Sequence, residues 1–391
     1  MSNPLSDINV GIVGTGFMGV AHTEALRRLG VNVVGIVGSS PERAQAKADS
    51  ANLPKVFASL EALLAEPSIH AVHITSPNDA HFEQSMAVLR AGKHVICEKP
   101  LAMNAAQTAL LLLAAKSSGL VHAVCFNQRY YPLVHQAQAM VASGELGLPR
   151  LISGGYLQDW LLLDTDWNWR LVAAKAGELR AVADIGSHWF DNVQFITGAR
   201  ITEVFADLHT FLPTRNHPIG EVETFSAHSV GDVERIEESV ASDDAAGLLL
   251  RFDNGARGVC TLSQVSAGRK NAMHWEVDCS QSTVAWNQES PEDLWVGHRG
   301  RSNEIVKRDP GLMYPSAANI AAYPAGHVEG YPDTFRGLFS TIYAGIVNHR
   351  VTGSASAQPN YPTFVDGHDA VLVCEAVARS AATGTWATVA R

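Results

Sequence analysis

The stretch that most limits what this chain can fold into is 8–30, INVGIVGTGFMGVAHTEALRRLG. It opens on Ile8-Asn9-Val10-Gly11-Ile12-Val13, a short β-branched apolar run suited to a buried parallel strand. Gly14, Gly16 and Gly19 follow in GxGxxG spacing, and a helical pattern then runs to Leu29, with Gly30 as its stop. In such a turn the first glycine permits the tight bend and the second lets a pyrophosphate approach the backbone. The third lets helix and strand pack closely. The helix start, with Phe17 and Met18, offers unpaired N–H groups and a positive dipole end to phosphate. GxGxxG alone is weak evidence; a strand before it and a helix after it make it a dinucleotide signal.

The alternation continues. Strands are expected at 31–37, 55–58, 70–75, 94–97 and 121–126, and helices at 41–51, 60–65, 82–91 and 104–117. Ser59 caps the second of these helices, and Asn104 with Gln107 makes a capping box for the last. The pattern specifies a doubly wound parallel sheet, which binds ligands at the carboxyl ends of its strands. Thr75-Ser76-Pro77-Asn78, Glu98-Lys99-Pro100 and Asn127-Gln128-Arg129-Tyr130 are therefore expected at one crevice. About twenty residues past Gly19, where NAD-binding folds place an acid for the ribose 2′-hydroxyl, stands Ser39. Ser40 and Arg43 accompany it, a set suited to a 2′-phosphate, although Glu42 is adjacent. The strand end thus leans toward NADP over NAD.

Two further patterns carry chemistry. Lys99 leaves an apolar strand just before a proline, at the edge where nicotinamide is expected; the plain alternative is a solvated charge. Asp184 and His188, four apart, share one face of a helix expected over 189–196 and ended by Gly198. A carboxylate can fix an imidazole's tautomer and stabilise its cation, which equips a general base. Equally, Asp184 suits an N-cap and His188 a satisfied core histidine. Tyr156, Gln158, Asp159 and Trp160, with Trp167, Trp169 and Arg170, suit either a sugar-binding wall or a structural aromatic cluster. His327, in a Gly/Pro-rich loop, is a candidate substrate contact.

Composition narrows the partners. The 391 residues suffice for two domains. A net charge of −10 without a basic block argues against nucleic acid or an anionic membrane. No signal peptide and no membrane-length apolar run is apparent. Five scattered cysteines read as reduced thiols of a cytoplasmic protein, and the sixteen histidines show no HxxxH or HExxH spacing for a metal. An acidic patch over 221–238 and an Arg-rich stretch over 299–308 fall in expected loops without an assigned role.

With Gly14-x-Gly16-x-x-Gly19, Glu98-Lys99-Pro100 and Asp184-x-x-x-His188 in this order, the chain resembles the Gfo/Idh/MocA family of sugar and cyclitol oxidoreductases. Ser76-Pro77-Asn78-x-x-His81 and the run 91–97 before Glu98 extend the likeness over essentially the whole chain. The resemblance implies an α/β Rossmann domain, 1–128, and an α+β domain, 129–391, with a large, mostly antiparallel open sheet. The hairpin signal Asp253-Asn254-Gly255, strand-like runs at 273–279 and 283–287, and helices at 332–347 and 364–381 agree. The family implies pairing through the sheet's open face, as a homodimer or homotetramer.

By the same resemblance His188 accepts a hydroxyl proton, Asp184 orients it, and Lys99 holds the substrate oxygen, with Pro100 often cis. The cofactor, NAD(P), would be held by Gly14, Gly16, Phe17, Met18 and Gly19, by Ser39, Ser40 and Arg43, and by Thr75 through Asn78. His81, Glu98, Lys99, Gln128, Trp169 and Arg170 complete that set. Substrate would meet Lys99, Arg129, Tyr156, Gln158, Asp159, Trp160, Asp184, His188 and His327. The Tyr-x-Gln-Asp-Trp and Trp-Arg elements look like those of levoglucosan-type dehydrogenases and hint at a pyranose-like substrate. Three functions follow: a dehydrogenase acting on a ring hydroxyl, a redox-assisted glycosidase needing a further base (Asp159, Tyr156 or His327), and a catalytically silent nucleotide sensor.

Overall fold

Five short apolar runs form one parallel sheet: β1 (Asn9–Val13), β2 (Asn32–Val37), β3 (Ala71–Ile74), β4 (His94–Cys97) and β5 (His122–Val124). Their order is β2-β1-β3-β4-β5. Every residue of β3 and β4 is buried, as a sheet covered on both faces requires. The computed structural model describes residues 4–219 and 234–391. The helices between the strands are α1 (Phe17–Leu29), α2 (Pro41–Ser50), α3 (Leu60–Leu64), α4 (Asn78–Arg90) and α5 (Ala105–Ser118). Local chemistry sets their ends. Gly30 closes α1 at φ 79°, and Ser40, Ser59 and Asn104 accept backbone N–H groups at the starts of α2, α3 and α5.

Three details differ from the sequence reading. The strand expected at 55–58 reduces to one bridge, Val56 to Ile36. The run is too short to pair further. α4 begins at Asn78, not at 82, because extended Pro77 starts the helix one turn before its apolar pattern does. In the capping box, Gln107 Oε1 accepts from Met103 N and not from Asn104.

The chain clusters into two compact units, Met1–Asn127 with Pro332–Val371 and Gln128–Tyr331 with Leu372–Arg391. In the first, Val124 N donates to Pro362 O, and Thr108 Oγ1 meets His368 Nδ1 at 2.6 Å. The long helix Tyr331–Thr352 sends Tyr343 to His73.

The second unit holds β6 (Pro149–Leu157), β7 (Ile201–His209), β8 (Thr214–Pro218), β9 (Arg235–Ser239), β10 (Ala245–Phe252) and β11 (Arg257–Ser263). β12 (Ala272–Cys279), β13 (Ser282–Asn287), β14 (Asp293–His298), β15 (Glu304–Lys307) and β16 (Ala387–Thr388) follow. Nine form one sheet, β15-β14-β13-β12-β6-β11-β10-β7-β16, and β8 pairs with β9 apart from it. The sheet is antiparallel except between β6 and β11. Alternating burial along β10 and β11 shows one face packed and one open. The hairpin at Asp253-Asn254-Gly255 joins these two strands as expected, with Gly255 at φ 87°. Arg299–Arg308 departs from expectation: it contains β15, and Arg308 is buried against Glu292 and Glu329. Most of the acidic patch 221–238 lies outside the described residues. Among the described residues no helix is long and apolar enough to cross a membrane.

Candidate active site

The glycine-rich turn joins β1 to α1 at the place where strand order reverses, between β1 and β3. Gly14 sits at φ 114°, and a Cβ there would lie 2.6 Å from Thr75 Oγ1. One on Gly19 would lie 2.3 Å from Gly14 O, whereas one on Gly16 would meet nothing within 4 Å. Packing thus explains the outer two, and the middle one leaves open backbone. The first turn of α1 carries no acid. Open backbone beside an uncompensated helix N-terminus fits a dinucleotide pyrophosphate. Phe17 is exposed and Met18 half-buried on this turn. At the end of β2, Arg43 Nη1 lies 3.5 Å from Ser39 Oγ, and Ser40 Oγ accepts from Arg43 N.

Lys99 follows β4, half-buried, and its peptide bond to Pro100 is cis. Its backbone N–H donates to Glu98 Oε2 at 3.3 Å. Buried His81 faces two carbonyls, Pro100 O at 2.7 Å and Ser76 O at 2.9 Å, and so ties the loop after β3 to the loop after β4. Burial lowers its pKa, against the pull of those two carbonyls. Thr75 Oγ1 donates to Val13 O, and Asn78 begins α4.

In the second unit, Asp184 lies in a π-helical turn, Val182–Gly186, that runs directly into the helix Ser187–Thr197. His188 therefore stands four residues on in one continuous helical segment, as the spacing predicts. The N-cap alternative for Asp184 fails, because Asp243 accepts the backbone N–H groups of Arg180 and Val182 at that end. Asp184 instead receives Arg170 Nε at 3.1 Å and Gln264 Nε2 at 2.9 Å. Two donors, one of them cationic, favour its carboxylate form. Arg170 also stacks over Trp169 and bonds Asn168.

A polar network flanks His188. The Tyr156 ring lies 6.4 Å from the His188 ring, and its hydroxyl meets Asn271 Oδ1 at 2.5 Å and Gln128 Nε2 at 3.2 Å. Gln158 joins Asn271 and accepts from Trp160 Nε1 at 2.8 Å. Burial keeps Tyr156 a phenol, its pKa pushed well up. Not every candidate joins this group. Arg129 makes a bidentate pair with Asp191, and His327 is exposed, its carbonyl held by Arg308. Asp159 accepts from Lys270 and Gly268; burial raises its pKa, and those donors outweigh it.

Residues 8–126 match the oxidoreductase family with an NAD-binding Rossmann fold, and residues 134–285 match the GFO/IDH/MocA C-terminal domain. The chain belongs to the Gfo/Idh/MocA oxidoreductase family.

Among its family relatives, levoglucosan dehydrogenase of Pseudarthrobacter phenanthrenivorans is 30% identical, over 98% of this chain and 99% of that one. Myo-inositol dehydrogenase Hyg17 of Streptomyces leeuwenhoekii is 26% identical, over 97% and 98%. The solved structure of levoglucosan dehydrogenase with NADH and levoglucosan superposes at TM-score 0.86 and 28% identity, covering 98% of this chain and 100% of that one. An oxidoreductase domain protein from Kribbella flavida gives TM-score 0.86 at 29% identity, over 98% and 100%. Three polar residues of the site escaped the sequence reading: Gln264, Asn271 and Asp243. Gln264 and Asn271 stand one residue beyond a strand end, after β11 and before β12, and counting strand ends would have raised them.

Proposed function

We propose that this Gfo/Idh/MocA protein is an NAD(P)-dependent dehydrogenase that oxidises one ring hydroxyl of a pyranose-like sugar, anhydrosugar or cyclitol, or reduces the matching ketone. The observation that carries this reading is the Asp184 carboxylate, held charged by Arg170 and Gln264 in the same helical segment as His188. His188 accepts the hydroxyl proton, and Asp184 stabilises the imidazolium that results. Lys99 offers its ammonium to the substrate oxygen as negative charge develops there. The aromatic and amide groups of Tyr156, Gln158 and Trp160 orient the ring. The dinucleotide, when bound, supplies the hydride acceptor; the turn Gly14–Gly19, Thr75–Asn78 and the end of β2 would hold it. Likeness to sugar and cyclitol dehydrogenases supports the substrate class.

The test is a panel of monosaccharides, 1,6-anhydrosugars and cyclitols, read for growth of reduced-nicotinamide absorbance. Stoichiometric reduction is expected with at least one ring alcohol. Aglycone release from a glycoside without net reduction would instead establish the hydrolytic alternative, and inertness toward all of them the sensor reading. Ser39, Ser40 and Arg43 support NADP, so turnover should be faster with NADP; clear preference for NAD overturns that choice.

The partner is a second copy of this chain. Leu249, Val259, Ser153, Glu276, Ala285, Trp295 and Ile305 are successive cross-strand neighbours on the open face. Leu249, Val259 and Ile305 are exposed there, apolar positions at the two ends of a row that Ser153 and exposed Glu276 interrupt, and they suit burial between protomers. Light scattering should give a dimer or tetramer, and V259K should shift it toward monomer. The free cysteines suit a cytoplasmic setting.

A further inference from the structure

Four polar side chains form an unbroken chain through the core of the first unit. Tyr343 Oη lies 2.8 Å from His73 Nε2, His73 Nδ1 lies 2.9 Å from His22 Nδ1, and His22 Nε2 lies 2.9 Å from Glu98 Oε1. They come from the helix Tyr331–Thr352, from β3, from α1 and from the residue after β4. His22, His73 and Tyr343 are fully buried, and Glu98 is 6% exposed. Phe335 and Phe339 pack against the imidazoles and keep the chain dry. The proposed dehydrogenase chemistry uses none of the first three residues.

Geometry and burial together set the direction of each bond. Two Nδ1 atoms facing each other at 2.9 Å must be one donor and one acceptor, so His22 and His73 cannot both carry a proton there. Burial keeps Tyr343 a phenol and His73 a neutral imidazole. A buried hydroxyl left without an acceptor is costly, so Tyr343 O–H donates to His73 Nε2. His73 then carries its proton on Nδ1 and donates to His22. His22 in turn carries its proton on Nε2, aimed at Glu98 Oε1. The second oxygen of Glu98 accepts the Lys99 backbone N–H.

We propose that Tyr343, His73 and His22 are a one-way hydrogen-bond relay that fixes the Glu98 side chain as a hydrogen-bond acceptor and, through it, seats the backbone of Lys99. All three are positioning residues. The effect on turnover rests on the role assigned to Lys99; the direction of the relay does not.

The first test reads the relay itself, by long-range proton–nitrogen NMR on protein labelled with 15N-histidine and assigned by loss of signals in H22Q and H73N. The expected result is His22 protonated on Nε2 alone and His73 on Nδ1 alone, with Y343F shifting the bare His73 Nε2 resonance. Opposite tautomers, or a His22 protonated on both nitrogens, overturn the relay. So does a stoichiometric metal in the purified protein that removes the His22 Nε2–H signal, since ligand atoms of His22, Glu98 and Cys125 lie within 4.8 Å of one another. The second test compares H22L with H22Q, whose amide still offers a donor to Glu98. H22L should lower kcat about tenfold with the KM for dinucleotide unchanged, and H22Q should recover most of it. Equal kcat in H22L and the unaltered protein overturns the positioning role. If no ring alcohol is oxidised at all, the dehydrogenase reading fails while the tautomers still decide the relay.

Discussion

The Arg170 guanidinium lies 4.5 Å from the centre of the Trp169 ring and reaches Asp184 Oδ1 through Nε at 3.1 Å. One cation thus couples the tryptophan-rich loop to the π-turn that carries Asp184. A planar fork is needed for both contacts, which a lysine cannot supply.

R170K is therefore expected to lower kcat/KM by about tenfold, the cost of a charge-assisted bond. A kcat/KM equal to that of the unaltered protein would contradict this.

Gln264 is fully buried and donates to the other oxygen of Asp184. Q264L keeps the volume and deletes the donor, so it should lower kcat/KM as R170K does. Both bonds land on one carboxylate, so the double variant should depart from additivity by at least about 0.5 kcal/mol in a double-mutant cycle.

The glycine turn makes a contrast that melting and binding can read together. G19A forces a Cβ to 2.3 Å from Gly14 O and should lower the melting temperature, whereas G16A has open space and should melt normally. G16A should nonetheless weaken dinucleotide binding by about tenfold or more, because its methyl occupies the approach of the pyrophosphate. Normal affinity in G16A, measured by calorimetry, would displace the phosphate from this turn.

Arg308 should prove a structural cation. It is buried, bonds Glu292 through Nε, pairs with Glu329 at 3.1 Å and donates to the carbonyls of Tyr323 and His327. R308M leaves the buried Glu329 carboxylate without its cation, so urea unfolding should show a loss of about 3–5 kcal/mol. A loss under about 1 kcal/mol would indicate a solvated residue.

Stability should fall on acidification below neutrality. Burial holds His94 and His122 at a pKa of about 4 and His135 at about 3. These imidazoles are neutral when folded and bind protons more readily when unfolded, near pH 6.5. Their contribution is complete above that value and is lost as pH falls, down to about 4 for His94 and His122 and about 3 for His135. Calorimetric melting temperatures across this range should drop steadily; a flat profile would mean that these rings are solvated.

The parallel half was legible because its signals are local. Gly30, Ser59 and Asn104 sit where helix ends need them, and β-branched runs mark β1 to β4. Asp184 and His188 could be paired from spacing alone, since both lie on one helical segment. What surrounds them could not. Asp243, which caps that segment, comes from beyond β9, and Gln264 reaches Asp184 only because β11 ends beside it. Arg308 looked like a loop charge because both its acidic partners are distant in sequence. Such contacts are set by strand register across the large sheet, which one chain's periodicity does not reveal.

The placement of β6 bears on how this protein is made. β6 precedes both of its neighbours in the chain, and Leu151 faces Arg257 on one side and Asp278 on the other. A nascent chain still attached to the ribosome therefore holds β6 with two unsatisfied edges until β11 and then β12 emerge. β12 to β15 can zip up as successive hairpins, but the parallel seam must wait for a distant partner. Slow translation between residues 157 and 272 should accordingly lengthen the period in which chaperones are needed.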